Sequence, residues 1–141
     1  MGAYTTIDDP SAFFQTALYT GNATNGKTVT NDGNSDLQPD WVWVKSRSAT
    51  ANHNCSDSSR GATKHLAQNI TYQEEIVSGI TGYNSDGFTL GTNGDSNGNG
   101  TTFVAWQWKC NAGTTATNTT GSVDSVVQVN SDAGFSIVTF D

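Results

Sequence analysis

Thr101-Thr102-Phe103-Val104-Ala105-Trp106-Gln107-Trp108-Lys109 reads as a strand from end to end. β-Branched and aromatic residues dominate it, and neither Gly nor Pro interrupts it. Strand side chains alternate between faces, so Val104, Trp106 and Trp108 fall on one side. Phe103, Ala105, Gln107 and Lys109 fall on the other. The first side, with its two indoles, is the expected core face. Working outward, Trp41-Val42-Trp43-Val44-Lys45 is a second strand, entered through Gln38-Pro39-Asp40. It is apolar on both faces, as a central strand of a sandwich should be.

Further strands are expected at 12–20, closed by Gly21-Asn22, and at 87–91, 122–129 and 134–140. Helix is scarce: 61–67 could make a turn or two and 72–78 one more, both short enough to be marginal. Strands separated by turn signals predict an all-β fold, an antiparallel β-sandwich with at most one or two short helices.

Composition agrees. The chain has 141 residues, enough for one domain with a real core. Hydrophobic residues are 34% and charged residues 13%, while Thr, Ser and Asn number 21, 14 and 14 and Glu only 2. That mix disfavours helix and favours strands and turns. Four Trp, six Phe and four Tyr argue against disorder. A net charge of −7 argues against nucleic acid or an anionic membrane as partner. No apolar run is long enough to predict membrane insertion, and the first ten residues show no secretory signal. Cys55 and Cys110 are expected to be free thiols.

Several motifs invite chemistry. Gly21-Asn22-Ala23-Thr24-Asn25-Gly26-Lys27-Thr28 matches the phosphate-binding loop pattern, but turn-forming residues follow where a helix is needed. Asp95-Ser96-Asn97-Gly98-Asn99-Gly100 fits the first half of a calcium loop, with Trp106 where a bidentate Glu belongs. Asp95, Asn97 and Asn99 are thus a weak calcium candidate, and no metal or other cofactor is assigned. His53, Cys55 and Asp57 share one side of a strand, away from Ser58, which disfavours a catalytic triad. Glu74 and Glu75 point apart. No catalytic residues are assigned, and the chain is not expected to be an enzyme. Five glycosylation sequons, at Asn22, Asn54, Asn69, Asn99 and Asn118, are no more than so much Asn, Ser and Thr produces by chance. Trp41 and Trp43 are a candidate glycan platform, since a sheet face can offer indoles and amides to a sugar ring.

The ordered string Gln38-Pro39-Asp40-Trp41-Val42-Trp43-Val44-Lys45, Asp57-Ser58-Ser59-Arg60-Gly61-Ala62, Gly87-Phe88-Thr89-Leu90-Gly91 and Val104-Ala105-Trp106-Gln107-Trp108-Lys109 resembles a domain of marine bacteriophage structural proteins. The resemblance covers about residues 13–110. It implies a concanavalin- or laminin-G-like jelly-roll sandwich, often in tandem, in tail fibres and other virion surface proteins, and it implies no catalytic residues. The expected role is therefore a virion structural protein, assembled in the host cytoplasm, most naturally the particle-proximal N-terminal domain of a tail-fibre-like appendage. A capsid decoration protein is the alternative within that class, and a lectin-like glycan-binding domain for host attachment the alternative outside it. Expected partners are other virion proteins and further copies of the chain, with a host-surface glycan as a further candidate.

The expected organisation is an N-terminal docking arm at 1–11 carrying Tyr4 and Ile7, a β-sandwich at 12–130, and a segment at 131–141. That last segment either closes the sandwich beside the first strand or opens a second repeat.

Overall fold

A computed structural model describes residues 7–140. The strands are β1 (Phe14–Thr20), β2 (Lys27–Val29), β3 (Trp41–Ser46), β4 (Asn54–Asp57), β5 (Lys64–His65), β6 (Glu75–Ile76), β7 (Ile80–Tyr83), β8 (Phe88–Leu90), β9 (Thr102–Trp108), β10 (Ala116–Asn118), β11 (Ser125–Asn130) and β12 (Phe135–Phe140). A 3-10 turn at Pro10–Ala12 precedes β1, and the α-helix α1 (Gly94–Asn97) lies between β8 and β9. The all-β fold follows the pattern of the sequence, and every strand pair is antiparallel.

The main sheet has the order β1-β9-β3-β4, and a second sheet has the order β2-β8-β7. Their facing sides share one core: Ala17, Val42, Val44, Phe103 and Ala105 from the first, and Val29, Ile80, Phe88 and Leu90 from the second. Tyr19 and Tyr83 pack at its margin, and the Tyr19 ring stacks on Phe103 at 5.2 Å. Ala17 stands opposite Ala105, and Ala105 opposite Val44. Two small residues side by side open space for Phe88 and Leu90 of the facing sheet.

This arrangement corrects the expected core face. Phe103, Ala105 and Gln107 are fully buried, while Val104, Trp106 and Trp108 are only partly covered and look away from the second sheet. Both sides of β9 are apolar, and at the centre of the inner one Ala105 stands between the small or branched Ala17 and Val44.

The expected short helices are absent. β5 and β6 form a two-residue ladder where helix was expected, and their surroundings are held by long-range bonds, Thr63 N–H to Ile80 O at 2.8 Å and Val77 N–H to Thr63 O at 2.9 Å. Thr63 has φ +72°, a conformation that ends any helical run.

β10, β11 and β12 make a third sheet. β12 pairs with β11, not with β1, so the last segment does not close the sandwich beside the first strand. The expected boundary at 130/131 falls in the turn of this hairpin. At the other end, Asp9 caps the 3-10 turn and accepts from Ser11 N–H (2.9 Å), Ser11 Oγ (2.6 Å) and Ser35 Oγ (2.7 Å). The end of the expected arm, Asp9–Ser11, is thereby tied to the domain. Ile7 lies on the wall of a surface hollow, and Tyr4 lies outside the described residues.

Candidate functional site

The outward side of the main sheet is an aromatic face. Strand pairing sets Phe14, Trp108 and Trp41 in one row across β1, β9 and β3, and Thr16, Trp106 and Trp43 in the next. Rings touch along each row: Phe14 with Trp108 at 4.9 Å and Trp41 with Trp108 at 5.8 Å in the first, and Trp43 with Trp106 at 5.4 Å in the second. Beyond them Leu18 is 64% exposed.

The third sheet covers one end of this face. Phe135 of β12 packs against Trp41 at 5.8 Å and stacks on Trp108 at 6.3 Å. Between the 3-10 turn and this lid lies an apolar hollow of about 380 Å³, walled by Ile7, Pro10, Phe13, Phe14, Trp108 and Phe135. A second hollow, about 330 Å³, runs between β12 and the main sheet, with Trp41, Leu66, Gln68, Arg60 and Ile137 in its walls.

The two candidate platform residues therefore part company. Trp41 lies beneath Phe135, and its indole N–H is directed at the Cys55 sulfur. Trp43 stays on the open part of the face, where its Nε1–H donates to His53 Nδ1 at 3.0 Å. Amides stand beside that pair: Asn69 Oδ1 accepts from His53 N–H at 2.9 Å, and Asn69 Nδ2 donates to Asn52 Oδ1 at 3.1 Å.

Burial, and then the Lys45 ammonium, lower the His53 pKa below its ordinary 6.5. The bond from Trp43 needs an unprotonated Nδ1, so acid must break it. A depressed imidazole pKa means the contribution is present above 6.5 and is lost as pH falls through the lower folded value. The Trp43 indole N–H resonance should accordingly shift with a midpoint below 6.5. A midpoint at or above that value would contradict the geometry.

The polar motif residues meet elsewhere, where the loop after β9 passes β11. Asp40 is fully buried, and its carboxylate accepts from Ser58 Oγ (2.5 Å) and from the N–H groups of Cys110 (2.6 Å), Ala112 (3.0 Å) and Gly113 (2.8 Å). Gln128, also fully buried, completes the knot. Its Oε1 accepts from Asn111 N–H and Gly113 N–H, and its Nε2 donates to Ser58 Oγ and Ser59 Oγ. Asp57 binds Arg60 at 2.6 Å, and Arg60 reaches Glu74 at 3.0 Å, which holds the Glu74 carboxyl below the ordinary range. The sequence motif contains Asp40, Asp57, Ser58 and Arg60, whereas Gln128 carried no local signal.

The remaining candidates serve the fold. His53, Cys55 and Asp57 do share the outward side, but Asp57 is held by Arg60 and burial pushes the Cys55 thiol up to about 11. Cys55 and Cys110 are both free and buried.

The calcium candidates do not converge. Asn97 is fully buried in α1, where its Nδ2 donates to Thr24 O and Gly91 O and its Oδ1 accepts from Asn22 N–H. Asp95 accepts from Asn52 N–H at 3.3 Å, and Asn99 is exposed. Among the described residues no three His, Cys, Asp or Glu side chains gather as a metal site.

The loop from Gly21 wraps α1 and runs into strand β2, not into a helix. A Cβ on Gly21 would lie 2.3 Å from Gly98 O, so that glycine permits close approach of two backbones. Asn54 is fully buried, so the folded domain leaves no room for a glycan at that sequon. No helix among the described residues is long and apolar enough to cross a membrane.

Residues 9–141 match a family described as a domain of unknown function (DUF7483). No curated protein and no solved structure matches the chain.

Proposed function

Taking as premise that the chain belongs to the DUF7483 family, we propose that it is a structural module of a bacteriophage virion. In this reading it forms the particle-proximal N-terminal domain of a tail-fibre-like or other surface appendage protein, with a concanavalin-like jelly-roll ancestry. Its work is contact, not catalysis. One observation carries this: the polar motif side chains Asp40, Ser58, Arg60 and Gln128 are engaged in tying loops and hairpin together. What the molecule presents outward is the aromatic face around Trp43, Trp106 and Leu18. Exposed apolar patches of this kind mark surfaces for partners. The virion context rests on the resemblance of the motif string to phage structural proteins.

The test is quantitative mass spectrometry of purified particles whose genome encodes the chain. The expected result is co-purification at a small fraction of the major capsid protein's copy number. A copy number approaching that of the capsid protein makes it a decoration protein instead, and absence from particles defeats the virion reading.

A lectin-like role is the second reading, favoured by the indole of Trp43 lying beside His53, Asn69 and Asn52. Aromatic stacking with adjacent amides suits a sugar ring. Glycan-array binding abolished by Trp43→Ala, in a variant that melts as wild type does, supports that role. An array blank for the wild-type domain removes it.

A further inference from the structure

β1 ends the main sheet, and among the described residues no strand pairs with its outer side. Lys109 N–H bonds to Phe13 O and Gly21 N–H to Thr101 O, so the odd-numbered residues of this segment turn their backbone groups toward β9. By antiparallel alternation, the N–H and C=O groups of Phe14, Thr16, Leu18 and Thr20 point to the free side. No backbone hydrogen bond among the described residues reaches them there. The side chains of all four are exposed, Phe14 by 39% and Leu18 by 64%.

Proteins blunt such edges with charge, proline, bulges, short length or a cover. The other edges of the two packed sheets carry those devices. β4 is covered by the segment after β5, through the reciprocal Cys55–Leu66 bonds of 3.1 and 3.0 Å. β2 has three residues and includes Lys27, β7 has four and a bulge, and β10 has three. β12, at the edge of the third sheet, also lacks charge and proline, but it is one residue shorter than β1 and belongs to the hairpin, not to the two packed sheets. β1, Phe-Gln-Thr-Ala-Leu-Tyr-Thr, has seven residues in unbroken register, no charge and no proline.

We propose that β1 is a self-pairing edge: two copies of this chain join β1 to β1, antiparallel, into one eight-stranded sheet across a two-fold axis. The strand suits itself. With Ala17 on the axis, Phe14 stands opposite Thr20 and Thr16 opposite Leu18, so all eight free N–H groups of the two strands find carbonyls. On the outward side Phe14 and Leu18 of both copies extend the aromatic face across the junction. The strand carries none of the net charge of −7, so charge repulsion is not concentrated at the contact. Pairing about a two-fold axis uses the same edge of each copy and closes the pair, whereas a head-to-tail contact would yield a polymer. The pairing does not depend on the virion reading, and its test is independent of particles.

The experiment is sedimentation equilibrium on the purified chain, with amide hydrogen exchange in parallel. Wild type should sediment at twice 14.9 kDa. Amides of Phe14, Thr16, Leu18 and Thr20 should gain protection as concentration rises, while those of Gln15, Ala17 and Tyr19 stay protected throughout. Thr16→Pro removes an N–H that points away from β9, an arrangement an edge strand tolerates. It should return the mass to 14.9 kDa with the fold intact by circular dichroism. Leu18→Lys, which leaves the backbone unaltered, should do the same and guards against misfolding of the proline variant. A wild-type monomer with freely exchanging even-numbered amides at every concentration overturns the proposal and leaves the edge to a different protein. A dimer that survives Leu18→Lys overturns it as well.

Discussion

Phe103→Ala should destabilise the domain by about 3–5 kcal/mol, a range set by the lost transfer energy of the ring and the cavity it leaves. Phe103 is fully buried and stacks on Tyr19, itself edge-on to Phe88 at 6.2 Å, so truncation removes one end of a chain of three touching core rings. Against a typical total of about 5–15 kcal/mol, the variant should melt far below wild type or fail to accumulate. Trp106→Ala, on the outward face of the same strand, should cost only about 1–2 kcal/mol. Truncation there leaves no enclosed void, and the cross-strand pairs that Trp106 makes with Trp43 and Thr16 are worth about 0.2–1 kcal/mol each. Paired chemical denaturation curves decide the matter. A larger loss from Trp106→Ala than from Phe103→Ala would reverse the assignment of inside and outside.

Asp40→Ala should cost a similar amount, about 3–5 kcal/mol, by a different route. Removing the shared acceptor takes a partner from four donors at once, the buried Cys110 amide out of reach of water. The groups stranded are Ser58 Oγ and the N–H groups of Cys110, Ala112 and Gly113, of which only Gly113 keeps a second acceptor, Gln128 Oε1. Asp40→Asn keeps the shape but turns an amide N–H₂ toward some of those donors, so it should recover part of the loss and no more. The damage should also be local. Hydrogen exchange should rise first in β11 and β12, because the small third sheet depends on the knot that fixes Gln128 of β11 to the loops of the main sheet. Uniform loss of protection across the main sheet, with the hairpin unaffected, would show that Asp40 acts elsewhere.

The strands were legible because strand periodicity and turn residues are local signals, and the ends of β1, β8, β9, β11 and β12 lie within a few residues of their expected places. Which way β9 faces was not legible, because both its sides are apolar and polarity could not choose. The deciding facts are the pairings Ala17 with Ala105 and Ala105 with Val44, which join strands far apart in the chain. Residues 61–67 and 72–78 looked weakly helical for the same reason, since the β5–β6 ladder they form is held by distant backbone groups. The motif residues were visible as letters, but Asp40 acts on amides some seventy residues further on. Gln128 shows no sign in its own neighbourhood that both ends of its amide will be used. The open partners of Trp43 depended on knowing that Phe135 covers Trp41, a fact of packing between sheets.

All four tryptophans, at 41, 43, 106 and 108, sit on the outward face, and the core rings are Phe88, Phe103, Tyr19 and Tyr83. The indole emission of this protein therefore reports its surface and says little about its interior. Trp43 and Trp106 sense whatever comes to lie on the open part of the face, so a spectral shift can accompany binding with no change in fold. Trp41 and Trp108 sense Phe135, so their emission changes when the hairpin lifts, before the two sheets separate. Circular dichroism of the amide groups follows the sheets themselves. Coincidence of the two signals on heating is the usual sign of all-or-none unfolding. In this molecule the interval between them measures how independently the hairpin detaches.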